Sequence, residues 1–202
     1  MKKISSNLFS TSIIALLFMM NYSALKAQKE VQDFKLQNTD GRFISLSDYP
    51  KAKGFIIVFT CNHCPFAKLY PSRLNDLSKK YESLGVPLIA VSSTETSIYE
   101  EDSYDKMIEK SNEEHFVFPY LYDKFQTVAK NFKAEKTPHA FVIWKVKDKW
   151  MIKYSGAIDD NGASPALVQQ HFVAEAVDAL LKGKAVKVNE TKSLGCQIHF
   201  RN

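Results

Sequence analysis

Apolar and polar positions change their period several times along this chain, and each change marks an element. From Val31 to Leu46 the residues alternate, Val-Gln-Asp-Phe-Lys-Leu before Asp40-Gly41 and Phe-Ile-Ser-Leu after it, which predicts a short hairpin turning on the Asp-Gly pair. Gly54 to Thr60 is continuously apolar and rich in β-branched residues, the pattern of a buried central strand. Past Pro65, the residues Phe66, Leu69, Tyr70, Leu74, Leu77, Tyr81 and Leu84 recur at helical spacing until Gly85. One amphipathic helix is therefore expected, kinked near Pro71. Pro87 to Val91 reads as a second buried strand, and residues 99–113 and 124–132 read as helices. His139 to Lys145 and Trp150 to Tyr154 flank the polar Lys147-Asp148-Lys149 and predict a second hairpin. Ser164 can cap and Pro165 can open a last helix, with Leu167, Val168, Phe172, Ala176, Val177, Leu180 and Leu181 inward and Gly183 ending it. Residues 184–202 form an extended polar tail with weak patterning.

Strand, helix, strand at the front requires a parallel pair with a crossover helix, and the closing hairpin adds antiparallel strands. The expected fold is α/β: a central mixed sheet flanked by helices, with an N-terminal β-hairpin. Residues 28–202 fit one domain.

Ahead of this domain, Lys2 and Lys3, the apolar run Ile13–Met20 and Ser23-Ala24-Leu25-Lys26-Ala27 make a secretory signal peptide over residues 1–27, cleaved after Ala27. The run is too short to span a bilayer, so the mature protein is expected in the periplasm or otherwise exported, with no stable membrane anchor. Cleavage removes three lysines and no acid, which lowers the formal net charge from +5 to +2. That near-neutral balance gives no footprint for nucleic acid. Three cysteines are too few for a disulfide-stapled scaffold, and in an oxidising compartment an odd count calls for a chemical explanation.

Cys61-Asn62-His63-Cys64 supplies one. The pair stands where a buried strand hands over to the expected helix, so the positive helix end and its free amides would favour a thiolate on Cys61. Two intervening residues let the sulfurs close a small ring, with Cys61 as the exposed nucleophile and Cys64 as the shielded resolver. His63 either stabilises the Cys61 thiolate or is a solvated loop residue. Thr60, Asn62 and Pro65 complete the immediate surroundings. Thr137-Pro138, opening the strand that begins at His139, can hold a cis peptide and offer backbone to an extended substrate segment. No cofactor and no metal are expected, and the aromatic residues fall at core positions.

Strand, Cys-x-x-Cys-Pro, long helix, strand and Thr-Pro before a hairpin resemble the thioredoxin superfamily. More closely, Phe59–Pro65, Glu101–Ser103, Phe118–Asp123, Thr137-Pro138, Tyr154–Asp159 and Leu194–Ile198 resemble a redoxin branch related to the AhpC/TSA peroxiredoxins and the TlpA-like reductases. The resemblance covers nearly all of the chain after residue 27. It implies a thioredoxin-like fold and thiol-disulfide oxidoreductase activity, with protein dithiols or disulfides and a redox partner protein as partners. Cys61 and Cys64 carry over as redox cysteines, Pro138 as the cis-proline and Cys196 as the tail cysteine. Phe55 stands where thioredoxins keep a buried acid, His139 is an unusual titratable neighbour of Pro138, and Ile198-His199-Phe200 replaces an expected lysine after the isoleucine.

Two other chemistries remain open at this level. A thiol peroxidase would place a threonine three residues before a reactive Cys64, a place taken by Cys61, with Thr60 one position out. A zinc or copper site could draw on Cys61, Cys64, Cys196, His199 or His139. Cys196 is a free thiol, a second resolving cysteine or a point of intermolecular linkage, and is expected to pack near Cys61.

Overall fold

The computed structural model describes residues 29–201; the expected signal peptide and its cleavage after Ala27 lie outside the described residues. The fold is built around β4 (Gly54–Phe59), all six residues of which are buried. Ile56 and Val58 point into one hydrophobic cluster and Phe55, Ile57 and Phe59 into another on the opposite face. With both faces covered, period-two alternation disappears from the sequence, which is why this strand reads as an unbroken apolar run.

β4 pairs in parallel with β5 (Leu88–Ser92), and β5 with β6 (Tyr120–Tyr122). On its other side β4 pairs antiparallel with β8 (His139–Val146), which pairs with β9 (Lys149–Gly156). The edges are β1 (Glu30–Val31) against β9, and β2 (Lys35–Asn38) with β3 (Phe43–Ser45) beyond β6. The eight-stranded order is β1-β9-β8-β4-β5-β6-β2-β3. A separate two-stranded ribbon joins β7 (Lys136–Thr137) to β10 (Cys196–Gln197). Three helices, α1 (Pro71–Tyr81), α2 (Tyr104–Glu113) and α4 (Phe172–Leu181), cover one face through Leu74, Tyr81, Met107, Val173, Ala176 and Val177. The other face receives α3 (Thr127–Phe132) through Val128, Ala129 and Phe132. Each such fully buried aliphatic or aromatic side chain contributes about 1.5–3 kcal/mol.

Several elements differ from the sequence-based expectation. The helix expected from Pro65 begins at Pro71, after a short 3-10 turn at Ala67–Leu69. Pro71 has no N–H to give Ala67, so it opens a new helix instead of kinking an old one. The last helix also divides: Pro165–Leu167 is one 3-10 turn, Val168 is extended, and α4 starts at Phe172. Asp160 draws the chain out by accepting the Gln169 N–H at 3.0 Å, and the Glu175 carboxylate accepts the His171 N–H at 3.1 Å at the true helix start. Leu167, expected inward, is 66% exposed. Val31 belongs to β1 and pairs with Trp150, outside the N-terminal hairpin. The closing hairpin turns on Lys147 and Asp148, whose φ angles of 49° and 62° suit a two-residue connection.

Candidate active site

The site forms where β4 ends. Thr60 is buried, and its N–H donates to Val91 at 2.9 Å, so the ladder holds the chain up to the first cysteine. Residues 61–65 then leave the sheet in a turn closed by Lys68 N–H on the Cys64 carbonyl at 3.0 Å, with Pro65 exposed on its outer side. No α-helix starts at Cys61, so the helix-terminus argument for its thiolate does not hold here.

The residues between the cysteines are fastened to the segment 99–102. Asp102, fully buried, accepts the Asn62 N–H at 2.5 Å and the His63 N–H at 3.2 Å through one oxygen, while its other oxygen binds His63 Nδ1. Asn62 donates to the Glu101 carbonyl at 2.7 Å and accepts from the Tyr120 hydroxyl at 3.0 Å. The His63 ring stacks on Tyr99 with centroids 3.7 Å apart. His63 is therefore not a solvated loop residue: its ring is held by a carboxylate and an aromatic face, with a ring nitrogen within 4.8 Å of Cys61 Sγ. Phe55, where an acid was missing, fills the apolar cluster between Tyr49 and Trp150, and Asp102 brings a buried acid from another segment.

All three cysteines are free thiols. Cys61 and Cys64 are both fully buried, which corrects the expectation of an exposed Cys61. Cys61 Sγ is hydrogen-bonded to Thr137 Oγ1 at 3.1 Å, and the Cys64 thiol donates to the Thr137 carbonyl at 3.1 Å. The two thiols are tightly coupled. Cys61 is raised by its interaction with Cys64, by burial and by the negative charge of Asp102, against the Thr137 hydroxyl, which can donate to its thiolate. Cys64 gives its own proton to the Thr137 carbonyl, so one residue offers a donor to the first sulfur and an acceptor to the second.

The Thr137-Pro138 bond is cis. Its backbone edge is not open: Cys196 pairs with Thr137 and Gln197 with Lys136. Cys196 packs against the Cys61/Cys64 pair, and its N–H donates to Cys64 Sγ at 3.4 Å. His139 has other partners. Its Nε2 lies 3.0 Å from Ser155 Oγ, its Nδ1 accepts the Glu135 N–H at 3.5 Å, and its ring lies 4.4 Å from that of Phe141. Burial draws it from 6.5 down to about 4, so it stands beside the cis-proline as a neutral imidazole.

Among the described residues, the ligand atoms that come within 4.8 Å of one another belong to Cys61, His63 and Asp102. The sets built on His199 or His139 are not assembled. Asp102 is already committed to two amides and an imidazole, which leaves this trio better suited to positioning than to holding an ion.

Sequence reasoning missed Asp102, Tyr99 and the Thr137 hydroxyl. Asp102 lay inside the Glu101–Ser103 stretch of the resemblance, but nothing in its spacing ties it to cysteines some 40 residues away.

The sequence profile of the AhpC/TSA family matches residues 27–159. The thiol-disulfide oxidoreductase ResA of Bacillus anthracis is 27% identical over 128 residues, 63% of this chain and 69% of that protein. An uncharacterized conserved protein from Geobacillus kaustophilus superposes with a TM-score of 0.78 at 34% identity, covering 86% of this chain and 92% of its own. The exposed lipoprotein thioredoxin Etrx1 of Streptococcus pneumoniae, at 16% identity and a TM-score of 0.55 over 75% of this chain and 99% of its own, shares the fold. With its family profile, its thioredoxin-like fold and this ResA likeness, the chain belongs to the AhpC/TSA family as a thiol-disulfide oxidoreductase.

Proposed function

We propose that this protein is exported and exchanges disulfides with protein substrates through Cys61 and Cys64, with Cys61 as the attacking sulfur. The observation that carries the reading is the pairing at Thr137, whose hydroxyl lies 3.1 Å from Cys61 Sγ and whose carbonyl accepts the Cys64 thiol at 3.1 Å. The Cys61 thiolate attacks a substrate disulfide, forming a mixed disulfide and releasing one substrate sulfur as thiolate, which takes up the proton that Cys64 gives. Cys64 then attacks Cys61. The Cys61–Cys64 bond forms, the second substrate sulfur leaves as thiolate, and two electrons have passed from the pair to the substrate. In the reverse direction the oxidised pair accepts two electrons from a substrate dithiol.

Timed alkylation of the reduced protein at mildly acidic pH tests the assignment, because only a thiolate reacts. Cys61 is expected to be labelled before Cys64, and Cys64→Ser is expected to accumulate mixed disulfides on Cys61. Labelling of Cys64 first, or of both at one rate, removes the assignment. Unchanged insulin reduction in both Cys→Ser variants removes the activity.

Export rests on residues 1–27; among the described residues no helix is long and apolar enough to cross a membrane. N-terminal sequencing of protein secreted from its host should begin at Gln28, and an intact Met1 in a cytosolic fraction contradicts it. Peroxide turnover is less well supported. A hydroxyl does lie beside Cys61, from Thr137, but among the described residues the arginines Arg42, Arg73 and Arg201 are bound to Asp40, Asp159 and Glu95 instead of the cysteine sulfurs.

A further inference from the structure

The edge at which an extended substrate would dock is occupied by the chain's own C-terminal strand, and the fit resembles that of a bound peptide. β10 runs antiparallel to β7, with Cys196 opposite Thr137. Ile198 extends the ribbon by donating to the Glu135 carbonyl at 2.8 Å and buries its side chain in the cluster around Phe59. Gly195 has φ 159°, and a Cβ there would stand 2.0 Å from the Thr137 carbonyl oxygen, so only glycine permits this approach. Beyond the cysteine, the buried Gln126 side chain donates to the His199 carbonyl at 2.6 Å and accepts the Arg201 N–H at 2.7 Å, and Arg201 pairs with Glu95. Anchors on both sides hold Cys196 beside Cys64.

We propose that β10 is a built-in occupant of the substrate edge and that Cys196 exchanges into the redox pair, so that the oxidised protein holds its disulfide either as Cys61–Cys64 or as Cys64–Cys196. The proposal rests on the assignment of Cys61 and Cys64 as the redox pair. In the step, the Cys196 thiolate attacks Cys64 of the Cys61–Cys64 disulfide. The Cys64–Cys196 bond forms and the Cys61–Cys64 bond breaks. Cys61 leaves as thiolate next to the Thr137 hydroxyl and takes up the proton that Cys196 released through solvent. No electrons enter or leave.

The pair itself gives the exchange a direction. In the reduced protein burial, together with the hydrogen bond to Cys64, holds Cys196 up to about 11, a poor nucleophile. Oxidation of the pair removes that hydrogen bond and presents a disulfide to attack. The same strand describes the substrate it excludes: an extended segment with a residue as small as glycine before its cysteine and a branched aliphatic residue two positions after it. A protein substrate of that kind must displace β10 to lie along β7 beside the pair.

The test equilibrates full-length wild type, Cys61→Ser and Cys196→Ser with oxidised glutathione, then quenches with acid, alkylates and maps disulfides by peptide mass spectrometry. Cys61→Ser is expected to form an intramolecular Cys64–Cys196 bond in most monomers, and wild type to contain both disulfides. If Cys61→Ser ends with Cys196 free, or as covalent dimers, while Cys196→Ser forms Cys61–Cys64 normally, the exchange is overturned and the underlying redox pair survives. If Cys196→Ser cannot form Cys61–Cys64, the underlying reading fails and takes this one with it. A second variant reads occupancy without oxidation. Gly195→Val should dislodge β10 and raise the alkylation rate of Cys196, which is half-buried against the pair, by about threefold or more in the native reduced protein, since undocking removes both its cover and its hydrogen bond to Cys64; an unchanged rate overturns the docking.

Discussion

Replacing Asp102 probes the link between the fold and the redox pair. Its carboxylate holds the Asn62 and His63 amides at 2.5 and 3.2 Å and the His63 ring, and it is fully buried. Asp102→Ala leaves two backbone donors with no acceptor, at about 1–3 kcal/mol each, so a loss of roughly 2–5 kcal/mol is expected. Asp102→Asn keeps an oxygen for both amides and exchanges charge-assisted bonds for neutral ones, at a cost of about 1–2 kcal/mol. The charge has a separate signature, because Asp102 disfavours a thiolate on Cys61 and also acts on Cys196. Two unit charges about 5 Å apart at an effective dielectric constant of about 20 interact by roughly 3 kcal/mol, and the imidazole on the far oxygen offsets part of it. With about 1–2 kcal/mol remaining, Asp102→Asn stabilises the reduced form and raises the reduction potential by roughly 20–40 mV. Urea unfolding of the reduced proteins reads the first effect and equilibration with glutathione buffers the second. A loss below about 1 kcal/mol in Asp102→Ala, against the cost of orphaned amides, would refute the account of the loop. A potential within about 10 mV of wild type in Asp102→Asn would refute the electrostatic coupling.

His63→Ala leaves the Asp102 charge less compensated beside Cys61 and removes the Tyr99 stack. The potential should fall by about 10–30 mV, and a rise in glutathione equilibration contradicts the role. His139 titrates near 6.5 unfolded and about 4 folded, so the folded state resists its protonation. Its contribution is complete above pH 6.5 and is lost as pH falls towards 4, with a slope of about 1.4 kcal/mol per pH unit in that window; His139→Gln should flatten the unfolding curve there. Arg73 donates to Asp159 and to the carbonyls of Leu69, Asn161 and Gly162 at 2.6–2.9 Å and lies 3.8 Å from the Tyr70 ring centroid. Arg73→Ala, which leaves buried Asp159 without its cation, should cost about 3–5 kcal/mol in urea unfolding, and Arg73→Lys less.

What could be read from the sequence divides according to how local the cause is. β4, β5 and the closing hairpin were legible because burial on two faces and a two-residue turn leave a mark within six to eight residues. The start of α1 was misjudged because Phe66 and Leu69 keep helical spacing with Leu74 and Leu77, although Pro71 interrupts the backbone between them. β6 escaped notice because three residues are too few to carry a period. At the site, Cys61, Cys64, Thr137 and Cys196 are all legible, but the tuning of the pair depends on the hydroxyl and carbonyl of Thr137, on the arm at Cys196 and on a carboxylate from residue 102. Such long-range convergence has no sequence pattern. The tail looked weakly patterned because its hold comes from Gly195, Gln126 and β7, none of which makes a periodic stripe.

β9 is eight residues long and lies near one edge of the sheet, yet little of its outer side is open. Residues 29–31 cover one end, with Val31 opposite Trp150 and the Ile152 N–H on the Lys29 carbonyl at 2.9 Å. The C-terminal arm covers the other end, where Ser155 donates to Asn189 at 3.1 Å and accepts from Thr191 at 3.0 Å. The two arms act as gatekeepers against intermolecular strand addition. A form trimmed past Val31, or one lacking the residues from Asn189 onward, would expose a row of unpaired amides and carbonyls on a long, twisted strand, a template for stacking with a second copy. Proteolytic nicking at either arm would therefore make the oxidoreductase aggregation-prone before the cysteines or the core were touched.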